Sequence, residues 1–155
     1  QSMKYIMPLL LQFVEQGGTL VMQYNTLQDL STTQIAPYPL TISQQRVTEE
    51  QAQVEMLDPK HKLFTTPNRI TPADFTGWVQ ERSVYNASKY DAMFQELLSM
   101  HDTGDVPQKG ALLYASYGKG QYVFCSLSLF RQIPAGVPGG IKLLCNMLSL
   151  GVARH

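Results

Sequence analysis

The chain has 155 residues, of which 44% are hydrophobic and only 15% are charged. This length fits a single domain, and a chain of this size buries enough surface to fold without disulfides or metals. Twelve basic and twelve acidic residues give a formal net charge of zero. The composition argues against nucleic acid as a partner, because phosphate binding needs a clustered positive face and no basic run is present. No stretch approaches the roughly 20 apolar residues of a membrane span.

The first segment predicts a helix followed by a strand. Residues 3–16 show helical spacing of apolar side chains, at Ile6, Leu9, Leu10, Phe13 and Val14. The glycines at 17–18 end this helix, and residues 19–24 form a nearly continuous apolar run typical of a strand buried on both faces. Because the helical pattern starts almost at residue 1, we expect the 155 residues to be a single domain from a longer chain.

The middle of the chain is polar and rich in turns, so its predicted elements are short. They are an extended piece near 38–43, a helical turn over 48–53, and strands over 54–57, 78–85 and 94–99. Residues 90–100 also fit a helix, and the strand is the preferred alternative. A helix is predicted to begin after Thr71, since threonine caps, Pro72 suits the first helical position and Asp74 favours the positive helix end.

The last third has the clearest pattern. Two β runs, 111–116 and 121–127, flank the turn 117–120, whose glycines predict a hairpin. A loop is predicted over 131–140 and a closing helix over 141–150. Together the elements predict a three-layer α/β fold, in which a mostly parallel sheet has helices on its faces and ends with a β-hairpin and a closing helix.

Metal chemistry finds little support in the sequence. The histidines are His61, His101 and His155, no two of them are four residues apart, and no C-x-x-C is present. His101 and Asp102 lie near Asp105, which is a weak hint of a hard-cation site, but a solvated turn is the more ordinary interpretation. We therefore predict no metal site and no cofactor.

Nucleophilic catalysis is also not indicated. Neither a G-x-S-x-G nor a G-x-C-x-G elbow occurs. Cys125 and Cys145 lie in apolar runs and are predicted to be buried thiols, with a disulfide as the alternative. The glycines at 118 and 120 belong to the hairpin. Those over 136–140 precede a helix whose N-terminus suits an anion, but they form no G-x-G-x-x-G. No catalytic residue is predicted.

Candidate ligand-binding residues follow predicted strands, since ligands of open α/β sheets bind beyond the carboxyl ends of the strands. The candidates are Tyr24, Asn25, Trp78, Gln80, Glu81, Arg82, Arg131 and Gln132. Trp78 is the only tryptophan, and an aromatic face beside polar side chains suits a carbohydrate. The alternative interpretation is structural, with Trp78 in the core, Glu81 paired with Arg82, and Arg131 capping loop carbonyls.

Five segments, in chain order, resemble one protein family. They are residues 15–25 (EQGGTLVMQYN), 75–82 (FTGWVQER), 97–102 (LLSMHD), 117–123 (YGKGQYV) and 129–139 (LFRQIPAGVPG). Together they resemble the C-terminal domain of bacterial LmbE/PIG-L-type deacetylases, which is similar in fold to class I glutamine amidotransferases. The resemblance implies a class I glutamine amidotransferase-like, flavodoxin-like fold, and it spans nearly the whole chain.

The resemblance implies no catalytic residue in this domain. The zinc motif A-H-P-D-D-E of that family lies in a separate N-terminal domain, and the amidotransferase elbow and H-x-E are absent here. The leading hypothesis is a non-catalytic accessory module of a zinc-dependent N-acetyl-sugar deacetylase, binding a carbohydrate or packing on the N-terminal deacetylase domain. The alternatives are a hydrolase or amidotransferase-like enzyme using residues such as Glu81 and His101, and a structural or oligomerisation domain. We consider a bacterial periplasmic or secreted location.

Overall fold

The fold is taken from a computed structural model, which describes residues 3–23, 26 and 34–152. Tyr24, Asn25 and His155 lie outside these residues. The helices are α1 (Met3–Glu15), α2 (Lys62–Thr65), α3 (Leu129–Gln132) and α4 (Pro138–Leu148), with a 3-10 turn at Pro72–Phe75. The strands are β1 (Thr19–Gln23), β2 (Leu40–Ile42), β3 (Arg46–Val47), β4 (Val54–Met56), β5 (Ser83–Val84), β6 (Ala87–Tyr90), β7 (Gln95–Glu96), β8 (Leu98–Met100), β9 (Leu112–Tyr117) and β10 (Gly120–Cys125).

The central sheet has the strand order β1-β10-β9-β7. Strand β1 runs parallel to β10, with Thr19 opposite Gln121, whereas β9 is antiparallel to both β10 and β7. Three further ribbons, β2–β6, β3–β5 and β4–β8, are each antiparallel. The predicted hairpin is confirmed, since β9 and β10 pair directly across the turn at 118–119.

The predicted three-layer, mostly parallel, flavodoxin-like sheet is wrong. Among the described residues β1–β10 is the only parallel pair, and the other pairs are antiparallel. A parallel sheet needs crossover connections of a dozen or more residues, usually helical. Between β2 and β9 the chain instead contains short strands, the four-residue helix α2 and one 3-10 turn. Such connections allow antiparallel ribbons, so the architecture is mixed α/β.

The hydrophobic core has two parts, one on each face of the central sheet. Leu112, Val123 and Cys125 face the part that α4 covers, while Leu113 and Phe124 face the part that α1 covers. Neighbouring residues along β9 and β10 thus alternate between the two parts, as the two-residue period of a strand requires. Both parts are therefore built on the same hairpin.

Two N-terminal predictions need correction. Strand β1 is an edge strand in which only Met22 is buried, not a strand buried on both faces. Helix α1 has the predicted extent, but Met7 and Val14 are its buried residues. Leu9 and Phe13 are exposed, because the sheet covers only one side of the helix and the apolar pattern extends round to the other side.

Several other boundaries also differ from the predictions. The predicted strand over 78–85 shrinks to β5, because Gln80 and Tyr85 adopt positive φ angles of 68° and 60°, which interrupt an extended strand. The predicted loop over 131–140 contains the end of α3 and the start of α4, since Pro138 occupies the first helical turn. The strand over 94–99 is present as β7 and β8, which are separated at Leu97.

Candidate functional site

Six of the eight predicted site residues lie in two segments that pack against each other. Trp78, Gln80, Glu81 and Arg82 belong to the loop between the 3-10 turn and β5, and Arg131 and Gln132 end helix α3. We call residues 74–82 the Trp78 loop. The other two candidates, Tyr24 and Asn25, lie outside the described residues.

The side chain of Gln132 binds the main chain of the Trp78 loop. Its fully buried side-chain amide accepts the Val79 N–H at 2.8 Å and donates from Nε2 to the Val79 carbonyl at 2.9 Å. The same Nε2 lies 3.1 Å from Ser128 Oγ, whose hydroxyl donates to the Glu81 carbonyl at 2.5 Å. Because loop backbone at this depth has no sheet partner, these side chains satisfy its hydrogen bonds instead.

Glu81 pairs with Arg131 rather than with Arg82. Arg131 Nε donates to Glu81 Oε1 at 2.7 Å, and the Glu81 side chain is only 13% exposed. The alternative interpretation of Glu81 and Arg82 as a structural ion pair is therefore not what the structure contains. The observed pair connects the Trp78 loop to α3 a second time.

Arg82 is a buried cation held by carbonyl groups. It is 5% exposed, its Nη1 donates to the Phe75 carbonyl, and its Nη2 donates to the Ala52 carbonyl at 2.8 Å. Its Nε is buried without a hydrogen-bond partner among the described residues. Burial lowers the pKa of Arg82 from its ordinary value, although a guanidinium stays protonated at neutral pH. The guanidinium carbon lies 5.8 Å from the centre of the Trp78 ring, a cation–π arrangement.

Trp78 is packed inside the domain. It is 2% exposed, and its indole N–H donates to the Asp74 carbonyl at 2.9 Å. The Phe75 ring lies against it at a centroid distance of 5.6 Å and a tilt of 37°. With Phe75 and Arg82 around it, the indole does not offer the open face on which a sugar ring stacks.

A cavity of about 400 Å³ adjoins Trp78 and Arg82. Residues 75–79 and Arg82 form its walls, and the exposed residues Glu50 and Gln51 lie at its mouth. Glu50 Oε1 accepts the Gln80 N–H at 2.5 Å, which holds the mouth against the Trp78 loop. The volume falls within the range of small-molecule sites, roughly 300–1,000 Å³. The lining combines the apolar side chains of Phe75, Trp78 and Val79 with the polar groups of Glu50, Gln51, Thr76 and Arg82. Such a lining suits a small polar ligand that also has an apolar group.

Sequence reasoning missed Glu50, Gln51 and Ser128. The first two lie in a polar run predicted to be a helical turn, and the chain forms only a short turn there. Ser128 lies at the end of an apolar run and has no motif around it. Their roles depend on contacts with residues about thirty to fifty positions away, which no local pattern indicates.

The glycines in the first turn of α4 allow close packing. A Cβ on Gly139 would lie 1.6 Å from the Asp74 carbonyl oxygen, and one on Gly140 would lie 2.8 Å from Gln132 Cβ. Lys142, one turn further along α4, pairs with Asp74 at 2.8 Å. The start of α4 is therefore packed against the Trp78 loop, at the place where the sequence suggested an anion.

The remaining titratable groups form no reactive constellation in the described part of the chain. No group of three or more His, Cys, Asp or Glu side chains that could hold a metal is present there. His101 Nδ1 lies 2.9 Å from the Asp102 carbonyl oxygen, and the Asp102 carboxylate accepts the Thr48 and Glu49 N–H groups, each at 2.9 Å.

One of the two cysteines differs from the prediction of two buried thiols. Both are free thiols, so there is no disulfide between them, and Cys145 is exposed rather than buried. Cys125 is buried as predicted, and burial raises the pKa of its thiol to about 12. A thiol of this kind is protonated and inaccessible at neutral pH, which makes it a poor nucleophile.

Comparison with known proteins identifies a fold but no family. No family model and no curated protein matches the chain. A similar solved structure is Cytoplasmic Protein STM3548 from Salmonella typhimurium, with a TM-score of 0.60 and 16% sequence identity. The match covers 96% of this chain, which spans 61% of the length of that structure. At this identity the similarity concerns the fold alone.

The comparison also bears on location. The expectation of a periplasmic or secreted location is contradicted by this match, since the matched protein is named as cytoplasmic. Among the described residues, no helix is both long and apolar enough to cross a membrane.

Proposed function

We propose that this chain is a non-catalytic accessory domain that binds a carbohydrate ligand in the cavity beside Trp78 and Arg82. The observation that supports this most directly is the cavity itself, about 400 Å³ with Glu50 and Gln51 at its mouth. Carboxylate and amide groups hydrogen-bond sugar hydroxyls. The Phe75 and Val79 walls suit the methyl group of an acetamido substituent, so an N-acetylated sugar is the proposed ligand class.

The hydrogen bonds and the ion pair that fix the walls of the cavity favour ligand binding. Gln132, Ser128 and Arg131 hold the Trp78 loop at Val79 and Glu81, and Arg82 connects it to Ala52. A site whose walls are fixed before the ligand arrives loses less entropy on binding. The polar groups singled out from the sequence thus serve mainly to position the walls, while the exposed groups at the mouth contact the ligand.

We further propose that the domain belongs to a longer LmbE/PIG-L-type protein that deacetylates N-acetylated sugars. The five resembling segments support this parent. Two of them pack against each other at the candidate site: residues 75–82 line the cavity, and residues 129–139 contain Gln132, which holds the Trp78 loop. In such a protein the accessory domain would hold a substrate or product sugar near the N-terminal deacetylase domain, or pack against that domain.

The enzyme alternative receives no comparable support. Glu81 is paired with Arg131, and His101 contacts the Asp102 carbonyl. Each side chain therefore has a separate structural partner, whereas an acid/base pair needs two groups that converge on one reacting atom.

Titration calorimetry with N-acetylglucosamine tests the binding proposal. The wild-type chain is expected to bind with a dissociation constant in the micromolar to millimolar range, and Gln51→Ala and Glu50→Gln are each expected to weaken binding at least about fivefold. Glu55→Gln, at an exposed carboxylate on β4 that does not line the cavity, is the matched control and should bind like the wild type. Absence of binding, or binding that the mouth variants leave unchanged, would contradict the proposal.

A further inference from the structure

One side of α1 is apolar and exposed. Tyr5, Ile6, Leu9 and Phe13 are 74%, 42%, 65% and 54% exposed, and their spacing places them along a single side of the helix. We call these four residues the α1 stripe. Together they present on the order of 400 Å² of apolar surface, comparable to the largest apolar patch of a typical monomer, which is often functional.

The α1 stripe lies on the side of the helix that overhangs the sheet edge. Helix α1 packs on both β1 and β10. Its opposite flank, with Lys4, Leu11 and Glu15, lines a groove toward Tyr117 at the end of β9. The Phe13 ring lies directly against Gly18, just before β1, where an added Cβ would be 2.2 Å from a ring atom. The stripe therefore faces away from the hairpin and over the outer side of β1.

The outer edge of β1 has no strand partner among the described residues. Gly18 accepts the Gln121 N–H at 3.1 Å, so alternate residues of β1 turn their main-chain groups toward β10. The main-chain groups of Thr19, Val21 and Gln23 therefore face outward. Natural edge strands are protected by charges, proline or bulges. The segment TLVMQ has no charge or proline, and its register with β10 is regular.

We propose that a second copy of this chain covers this surface through antiparallel pairing of β1 with β1 about a two-fold axis at Val21. In this register Val21 pairs with its own counterpart, and Thr19 pairs with Gln23 of the other copy. Every outward main-chain group of the strand then has a partner. A two-fold axis perpendicular to the sheet keeps both α1 helices on the same face, where their stripes meet.

The spacing of the elements supports this arrangement. Neighbouring strands lie about 4.8 Å apart, and α1 sits over the gap between β1 and β10. Two α1 helices on either side of a β1–β1 pair are then about 10 Å apart, which matches the distance of packed helices. The stripe and the β1 edge together bury on the order of 600 Å² per copy, close to the lower bound of a standard protein interface.

Sedimentation velocity of the chain over a concentration series tests the proposal. The wild type is expected to form a dimer in reversible equilibrium with monomer, and Leu9→Glu and Phe13→Glu are each expected to weaken dimerisation at least tenfold. Leu148→Glu, on the equally exposed Leu148 of α4, is the matched control and should dimerise like the wild type. Circular dichroism of each variant verifies that the fold is intact, as expected for substitutions at exposed positions.

Hydrogen exchange distinguishes strand pairing from helix contact alone. On dimerisation the outward amides of Thr19, Val21 and Gln23 should become protected, whereas in Leu9→Glu they should exchange as in the monomer. A wild type that stays monomeric at high concentration would overturn the proposal. Another polypeptide would then be the candidate to cover this surface. A dimer that Leu9→Glu leaves intact, or that leaves the Val21 amide unprotected, would also overturn it.

Discussion

Individual buried polar side chains determine the conformation of the Trp78 loop, each through its own hydrogen bonds. Gln132 pairs with both main-chain groups of Val79, and Arg82 connects two loops through the Phe75 and Ala52 carbonyls. Such groups cost free energy when buried alone and are tolerated because each has partners. The cavity therefore depends on residues that the ligand itself would not touch.

Replacing Gln132 tests this dependence. Gln132→Ala leaves the Val79 N–H and carbonyl without partners in the interior, and we expect it to lower the free energy of unfolding by about 3 kcal/mol. Gln44→Ala, at an exposed position, should change it by less than about 0.5 kcal/mol. Urea denaturation monitored by circular dichroism measures both. Equal effects of the two substitutions would show that the Gln132 contacts contribute nothing specific.

The contribution of Asp102 to the free energy of unfolding is expected to depend on pH. Burial alone would raise the pKa of its carboxyl group, but hydrogen bonds from the Glu49 and Thr48 main chain and the Thr48 hydroxyl outweigh this and lower the pKa. A lowered folded-state pKa stabilises the fold above the unfolded pKa of about 3.9, and this stabilisation is lost as pH falls through the folded value. Asp102→Asn is therefore expected to lower the free energy of unfolding by about 1 kcal/mol at pH 7.

The difference between Asp102→Asn and the wild type should shrink as pH falls below 4, because the wild-type carboxylate then gains its proton. Thermal unfolding across pH 2–7 measures this. Asp105→Asn, at an exposed position in the same loop, is the control and should follow the wild-type curve. A constant difference between Asp102→Asn and wild type at all pH values would contradict an ionised Asp102 as the stabilising species.

At the residue level the sequence singled out two segments that pack against each other, but it did not indicate their contacts. Trp78, Glu81 and Arg82 stand out in a lightly charged chain, and the loop that contains them does border a cavity. Their partners could not be predicted, since Arg131 lies 50 residues from Glu81 and Ala52 lies 30 residues from Arg82. Which of several polar groups meet at such separations is determined by tertiary packing.

At the element level, local patterns were sufficient where a turn joins neighbouring strands. The glycines at 118 and 120 predicted the β9–β10 hairpin, because a tight turn forces its two strands to be antiparallel. The direction of pairing between distant segments has no such local signal. The helix–strand order of α1 and β1 suggested a parallel sheet, and it is parallel only between β1 and β10 among the described strands.

The close contact between α4 and the Trp78 loop can be tested by substituting the glycines of that region. Gly139→Ala places a Cβ 1.6 Å from the Asp74 carbonyl oxygen, so α4 must move away from the loop, and we expect a loss of about 3 kcal/mol. Gly136→Ala is a matched comparison with a positive φ of 70° and no close atoms, and should cost about 1 kcal/mol. Chemical denaturation of both variants measures the two losses. A loss for Gly139→Ala no larger than that for Gly136→Ala would show that α4 and the loop are not in close contact.

At the scale of the whole molecule, the domain presents two different surfaces. The cavity beside Trp78 is on the α4 side of the central sheet, where Phe75, Trp78 and Leu143 belong to one part of the core. The α1 stripe lies over the other part, which contains Met7 and Phe124. Ligand binding and self-association are therefore expected to be independent, so variants at Gln51 and at Leu9 should each affect only one of them.

Intrinsic fluorescence of the single tryptophan tests the central claim most directly, because Trp78 is the only indole in the chain and lines the cavity. N-acetylglucosamine is titrated into the wild-type chain and into Gln51→Ala, with the folded state verified at each end point. We predict a saturable change in Trp78 emission for the wild type and a curve displaced to at least fivefold higher sugar concentration for Gln51→Ala. Emission that stays constant up to high sugar concentration would contradict a binding site at this cavity.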